Sequence, residues 1–419
     1  MKQKIKVLWF CNAEFSDTNP NSSGTWLHSM ANALISTDSI HLYNITQGKV
    51  KDVLCQDSES ICQWLVPYES LNNKGLPSSK TIQDIQTIVD DIKPDIIHIW
   101  GTENYWGLLS ARGHIKGNII LEIQGLKFAC AKYFYSGLSL IDIFKCFGLK
   151  EFIKPSVSLF GQWYSFKRWG HFEKEMLLNH RFISTQSYWV RAYVKNVNPL
   201  TKILYTSLAL RTEFVEANKW NFDHCVPYRV FTSSSGMVSY KGLHILIDAI
   251  AMLKNQYPQI ILCIAGKVST GFRRDGYTKW LIRKIKNLGL YENIFWLGSL
   301  DAENLVIQMH KANVVVIPSF IETYCVALDE ALTVGVPTVI SFSGAMPELA
   351  THKKSALYFP PGDSVMCAHA IDRFFVDRDY AIEVSCNAFN EKKTKNNIAL
   401  SQVEIYRSTI ESTIANSIE

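Results

Sequence analysis

The sequence predicts an α/β chain built from two doubly wound domains. Three stretches carry that prediction. Residues 4–35, 228–253 and 313–334 each read as a short apolar strand, then a loop of small or polar residues, then a helix. The second of these begins past the middle of the chain, so the pattern starts twice. With 419 residues there is room for two domains of ordinary size. A content of 47% hydrophobic and 19% charged residues describes packed globular units and excludes a disordered chain.

The formal net charge of +5 is too small to argue for nucleic acid as a partner. None of the ten cysteines forms a C-x-x-C pair and several fall in apolar strand runs, so they read as reduced thiols, neither a disulfide framework nor a zinc site. The first residues lead straight into a strand, and no apolar run approaches roughly 18 residues, so neither a signal peptide nor a transmembrane helix is expected. The expected location is cytoplasmic.

Taken in order, residues 4–11 are the first buried strand. A polar loop covers 12–24, and Trp26, Leu27, Met30, Ala31, Leu34 and Ile35 mark a helix that Ser22 or Ser23 caps. Short strands are expected at 41–46 and 64–66. A helix over 81–92 is stopped by Pro94. Strands follow at 95–100 and 118–123, the latter ending at Gln124-Gly125. His98 reads first as a strand-end structural histidine.

Residues 126–175 are rich in aromatics, from Phe128 to Phe172, with Lys127, Lys132, Lys145, Lys150, Lys154, Lys167 and Arg168 interleaved. Two readings stay open for them. One is contact with a membrane or a lipid-linked sugar, since aromatic and basic residues together suit a lipid interface. The other is an insertion packed on its own domain.

A strand and its loop are then expected over 181–187, a helix to 196 and a short strand at 201–208, with a polar linker over 211–227. The second domain opens with a strand at 228–232, the small-residue loop 233–236, Lys241-Gly242, and a helix carrying Leu243, Leu246, Ile247, Ile250 and Leu253. Lys241 stands at the lip of that loop, where a cation neutralises a diphosphate. Further strands are expected at 259–266, 293–298, 336–341 and 356–359. A basic loop holds Lys267, Arg273 and Arg274, and the tail is largely helical.

The stretch around which the chain is organised is 313–334. The β-branched run 313–317 is a buried strand, and Ala327, Leu328, Ala331, Leu332 and Val334 have helical spacing. Between them lies a loop with Glu322, and Glu330 sits eight residues later on the helix. Eight residues is a little over two turns, so both carboxylates can face one side. A helix starting near Tyr324 aims N–H groups and partial positive charge at the strand's C-terminal end, which favours an anion. A carboxylate further along accepts hydrogen bonds from a vicinal diol such as a ribose. Together the features suit a nucleotide sugar.

The whole block reads Pro318-Ser319-Phe320-Ile321-Glu322, seven residues, Glu330-Ala331, then Gly335-Val336-Pro337, then Gly344-Ala345-Met346-Pro347-Glu348. It resembles the signature of retaining family 4 glycosyltransferases of the GT-B fold. The resemblance covers about 230–363 well and the first domain only in outline. It implies two Rossmann-like domains facing a central cleft: an acceptor-side domain over 1–205, a donor-binding domain over 206–385, and a last helix, about 386–419, packing back on the first.

The resemblance also implies roles. Glu322 and Lys241 take the catalytic ones. The donor-binding set is Gly24, Gly236, Lys241, Ser299, Leu300, Glu322, Tyr324, Cys325, Val326 and Glu330, and His98 and Gln124 lie on the acceptor side. The expected partners are a nucleotide-sugar donor and a glycan or lipid-linked acceptor in cell-surface polysaccharide or lipopolysaccharide synthesis, on the inner face of a membrane. No cofactor beyond the donor is implied. No Asp-x-Asp stands in a strand-end loop, since Asp377-Arg378-Asp379 follows a helix, so the reaction is expected to need no metal.

Three positions depart from the pattern. Ser23-Gly24 stands where relatives carry two glycines. Gly236 or Met237 stands where they carry an arginine. Gln124 stands where many carry a histidine, and glutamine cannot act as a general base at neutral pH. These departures keep a catalytically silent subunit in view as a rival. A sugar-nucleotide epimerase is a second rival. A phosphorylase, which would need a pyridoxal phosphate lysine, is a third.

Overall fold

The structure is a computed structural model that describes residues 3–15, 25–57, 61–234, 237–267, 275–393 and 397–418. It divides into two units. The first comprises 1–127, 169–211 and 396–419, and the second 128–168 and 212–395.

The first unit is built on strands β1 (Ile5–Phe10), β2 (Ile40–Gly48), β3 (Leu54–Asp57), β4 (Cys62–Pro67), β5 (Ile96–Trp100), β6 (Ile119–Glu122), β7 (Phe182–Thr185) and β8 (Lys202–Tyr205). Their order in the sheet is β3-β4-β2-β1-β5-β6-β7-β8. All neighbours run parallel except β3 and β4. Strand β3 is absent from the sequence expectation for a physical reason. It is an edge strand with three of its four residues exposed, so it carries no apolar run.

Helix Ile398–Ile418 completes this unit, and Ala399, Val403 and Tyr406 join the core around β1 and β5. The Tyr406 hydroxyl accepts from Trp9 Nε1 at 3.2 Å and lies 2.9 Å from His98 Nδ1. The preceding helix, Arg378–Lys393, belongs to the second unit, so the crossing back begins nearer 396 than 386.

The second unit has β9 (Arg229–Ser233), β10 (Ile261–Ala265), β11 (Ile294–Gly298), β12 (Val314–Ile317), β13 (Thr338–Ser341) and β14 (Leu357–Phe359), ordered β11-β10-β9-β12-β13-β14. Every pair is parallel. Val314–Ile317 and Thr338–Ser341 are buried throughout, as parallel strands covered on both faces must be.

Two segments sit differently from the sequence expectation. Residues 211–227 are not a free linker. Phe214 and Trp220 are buried in the second unit's core, and Trp220 Nε1 donates to the Ala312 carbonyl at 2.8 Å. Residues 128–168, expected with the first domain, cluster with the second unit, where Phe134 is fully buried and its ring lies 5.9 Å from Tyr240.

Candidate functional site

Ligands of open parallel sheets bind beyond the strands' carboxyl ends, where the strand order reverses. In the second unit the order reverses between β9 and β12. The loop after β9 carries Lys241 and the loop after β12 carries Glu322, so chain topology alone brings these two residues to one place.

They meet there. Lys241 Nζ donates to Glu322 Oε1 at 2.7 Å and to Oε2 at 2.9 Å, and Ser319 Oγ donates to Oε1 at 2.7 Å. Burial alone would lower the Lys241 ammonium. The facing Glu322 carboxylate outweighs it, with Tyr240 adding to the effect, and holds the group above the ordinary lysine range.

The backbone behind this pair is stitched across three loops. Phe320 N donates to Tyr240 O at 2.8 Å, and Ala345 N to Glu322 O at 2.9 Å. Ser343 Oγ donates to Ser319 O at 2.7 Å, and Ser341 Oγ donates to the same carbonyl. Two glycines permit the close approach. Gly242 has φ +70° and lies against the Pro318 carbonyl, and Gly344 has φ +54° and lies against the Glu322 backbone. A Cβ at either position would overlap those atoms. The Gly of Gly344-Ala345-Met346-Pro347-Glu348 thus has a steric reason.

Helix Val326–Val334 starts two residues later than Tyr324, with Cys325 as its N-cap at φ +103°, ψ +73°. That is a sparsely populated conformation for a residue with a Cβ. Leu328 N and Asp329 N both donate to Cys325 O. The N–H groups of Val326 and Ala327 find no acceptor within the helix, by the geometry of any helix start. Burial and Glu322 push the Cys325 thiol well above its ordinary range, so it stays neutral.

Glu330, on the same helix, is 4% exposed. Tyr324 is also buried, and its hydroxyl donates to Asp329 Oδ2 at 2.6 Å. Asp329 is missing from the sequence-derived set. It is fully buried, and Lys392 Nζ of helix Arg378–Lys393 meets its Oδ1 at 2.6 Å. This ion pair fixes the helix that carries Glu330. Nothing in the sequence pairs two charges 63 positions apart.

Ser299 and Leu300 follow β11, the edge strand at the sheet's other side, with Ser299 exposed and Leu300 half-buried. They share the carboxyl edge with Glu322 but stand three strands away in the sheet order. Gly24 and Gly236 lie outside the described residues, as do Ser22, Ser23, Arg273 and Arg274.

In the first unit the order reverses between β1 and β5. His98 is within β5 and fully buried. Its Nε2 is 3.4 Å from Glu122 Oε2, and its ring stacks on Trp100 with centroids 4.0 Å apart. Burial lowers its pKa, against the pull of Glu122. The ring packs in the core of this unit, as the strand-end structural reading of His98 expects.

Gln124 is half-buried in the loop after β6, and its side chain lies over Gly101 together with that of Glu103. Burial raises the Glu103 carboxyl, with Lys127 opposing. Sequence reasoning passed over Glu103. The one signal available was a carboxylate three residues beyond the end of a buried strand.

Among the described residues no helix is long and apolar enough to cross a membrane. The ten cysteines form no disulfide.

Residues 216–395 match the family profile Glycosyl transferases group 1. An uncharacterized glycosyltransferase of Methanocaldococcus jannaschii is 29% identical over 180 residues, 42% of this chain and 44% of that protein. The matched region thus spans less than half of that relative's length. Among solved structures, sucrose-phosphate synthase of Thermosynechococcus elongatus aligns with a TM-score of 0.70 at 16% identity, covering 98% of this chain and 100% of the other. HepE of Anabaena, solved in complex with UDP-glucose, aligns with a TM-score of 0.64 at 16% identity, covering 98% and 100%. The chain has the GT-B fold of two Rossmann-like domains, and its second unit carries the group 1 glycosyl transferase signature.

Proposed function

We propose that the protein moves a hexose or related sugar from a nucleoside diphosphate sugar to a hydroxyl of a glycan or lipid-linked acceptor, with retention at the anomeric carbon and without a metal ion. The observation that carries this reading is the Lys241–Glu322 pair at the strand-order reversal of a group 1 unit.

In this reading the bond between the anomeric carbon and the diphosphate oxygen breaks as the acceptor oxygen bonds to that carbon on the same face, and the acceptor hydroxyl proton passes to the departing diphosphate oxygen. Lys241 and the start of helix Val326–Val334 meet the charge that develops on the leaving diphosphate. The donor's phosphate takes over Lys241 from Glu322, and the freed Glu322 carboxylate accepts from the sugar hydroxyls. Glu330 accepts from the ribose. Backbone at Ser299 and Leu300 reads the base, and Gln124 hydrogen-bonds the acceptor. A role in cell-surface polysaccharide or lipopolysaccharide assembly fits the same chemistry.

A panel of nucleotide sugars tests the reading, scored first by protection against thermal unfolding and then by transfer to saccharide acceptors in the presence of a chelator. UDP-glucose heads the panel, because HepE, which shares the fold, is solved with it. Protection by one donor with chelator-insensitive transfer supports the proposal. Protection without transfer to any acceptor points to a binding subunit. Conversion of the donor alone points to an epimerase.

A further inference from the structure

Residues 137–168 divide cleanly into a buried face and an exposed one. The short helices Leu140–Lys145 and Leu149–Ile153 are fastened to helix Gly276–Asn287 by their polar atoms. The Lys145 carbonyl accepts from Arg283, and the Cys146 backbone packs against Gly276. The Glu151 carboxylate is fully buried, accepts from Gly148 N at 3.0 Å and lies 4.0 Å from Lys279 Nζ. The apolar side chains point the other way. Leu140, Ile141, Phe144, Leu149, Phe152 and Ile153 are each between 65% and 77% exposed.

This inverts the usual amphipathic arrangement, in which the charge is wet and the phenyl rings are dry. Six large apolar side chains gathered on two adjoining short helices exceed the scattered exposure normal for a soluble surface.

The charge pattern around the patch names its occupant. Lys145 at the end of the first helix and Lys154 directly after the second are exposed, whereas the two acids of the segment are engaged, Glu151 by burial and Asp142 in the cap with Ser139. A second copy of the same patch would bring these cations against one another. An anionic bilayer accepts both features at once, with apolar rings at the acyl boundary and cations among the phosphates. We infer that residues 140–168 form a docking surface for an anionic lipid bilayer, on which the protein rests without spanning it. The inference goes beyond the donor reading and does not depend on it.

The test is sedimentation of the full chain with vesicles of phosphatidylcholine alone and of phosphatidylcholine mixed with phosphatidylglycerol, with no donor or acceptor present. Binding is expected to the mixed vesicles and to weaken as salt is raised. Phe144→Ser combined with Phe152→Ser, and separately Lys145→Glu combined with Lys154→Glu, should each reduce binding by about tenfold or more. All four side chains are exposed, so an unchanged melting temperature is expected. Leu200→Ser, at a 95% exposed site of the first unit, should leave vesicle binding unchanged. Failure to bind either vesicle overturns the proposal, as does binding that neither double variant reduces. A dimer split by Phe144→Ser and Phe152→Ser, with no vesicle binding, assigns the patch to a second copy instead.

Discussion

Lys241 Nζ is bonded to both carboxylate oxygens of Glu322, at 2.7 and 2.9 Å, across 81 positions of chain. The ammonium is held above its ordinary range, so Lys241 stays charged through neutral pH. Lys241→Met and Glu322→Gln should each lower unfolding free energy by about 1–3 kcal/mol, since each strands a largely buried partner. The double variant should lose less than the sum, with a coupling of about 1 kcal/mol or more in urea titrations. Lys241→Met should also slow sugar transfer by roughly 100-fold or more, the cost of losing a donor aimed at developing negative charge. Strict additivity would show that the contact carries no energy, and unchanged turnover would remove Lys241 from the reaction.

Glu330→Ala should weaken nucleoside diphosphate binding by about 1–3 kcal/mol, measured by calorimetry, as expected for a lost charged hydrogen bond to the ribose. An unaltered Kd would place the ribose elsewhere.

Lys392→Ala leaves Asp329 buried without its cation. The expected cost is about 3–5 kcal/mol, whereas loss of the exposed, solvent-screened Lys80–Asp52 pair should change stability little. Chemical denaturation of Lys392→Ala and Lys80→Ala side by side checks the contrast. Equal losses would mean that Asp329 is rescued by water or by Tyr324.

Gly344→Ala forces a Cβ into the Glu322 backbone from a positive φ. A loss of about 1–3 kcal/mol in stability is expected, together with a fall in transfer rate, because the turn that holds Glu322 must move. A variant with wild-type stability and rate would show the turn to be loose.

Buried neutral histidines set an acid limit. His180 is pulled down to about 4 by burial, while Met176 O pulls weakly the other way. Its Nδ1 donates to Met176 O at 2.6 Å and its Nε2 takes the Ser110 hydroxyl at 2.7 Å, which is the neutral tautomer. The unfolded chain binds this proton below about pH 6.5 and the folded chain does not. Stability from this group is therefore complete above about pH 6.5 and lost as pH falls toward 4. His180→Gln should flatten that part of the curve of unfolding free energy against pH, and an unchanged slope would assign it to other groups.

The second unit was the more legible half of the chain. Its strands are short apolar runs buried on both faces, and the strand ends in the sequence already set Lys241 and Glu322 in two loops that the fold brings together. Three kinds of feature were not legible. Strand β3 is exposed at an edge and has no apolar signal. Phe214 and Trp220 are two anchors in an otherwise polar stretch, too few to set a period. The pairs Asp329–Lys392 and His98–Tyr406 join residues distant in sequence, and one chain holds no trace of such pairing. The aromatic segment after residue 126 gave composition without direction. Only the fold separates the packed Phe134 from the exposed Phe144.

Tyr406 has a consequence for biosynthesis. The core around Trp9 and His98 closes only when residues 399–406 arrive, so β1 and β5 wait incomplete while the long intervening chain is translated. Folding of this protein should therefore proceed out of order along the chain. Chains truncated after residue 396 should keep a protease-resistant second unit, 128–168 with 212–395, and show a labile first unit.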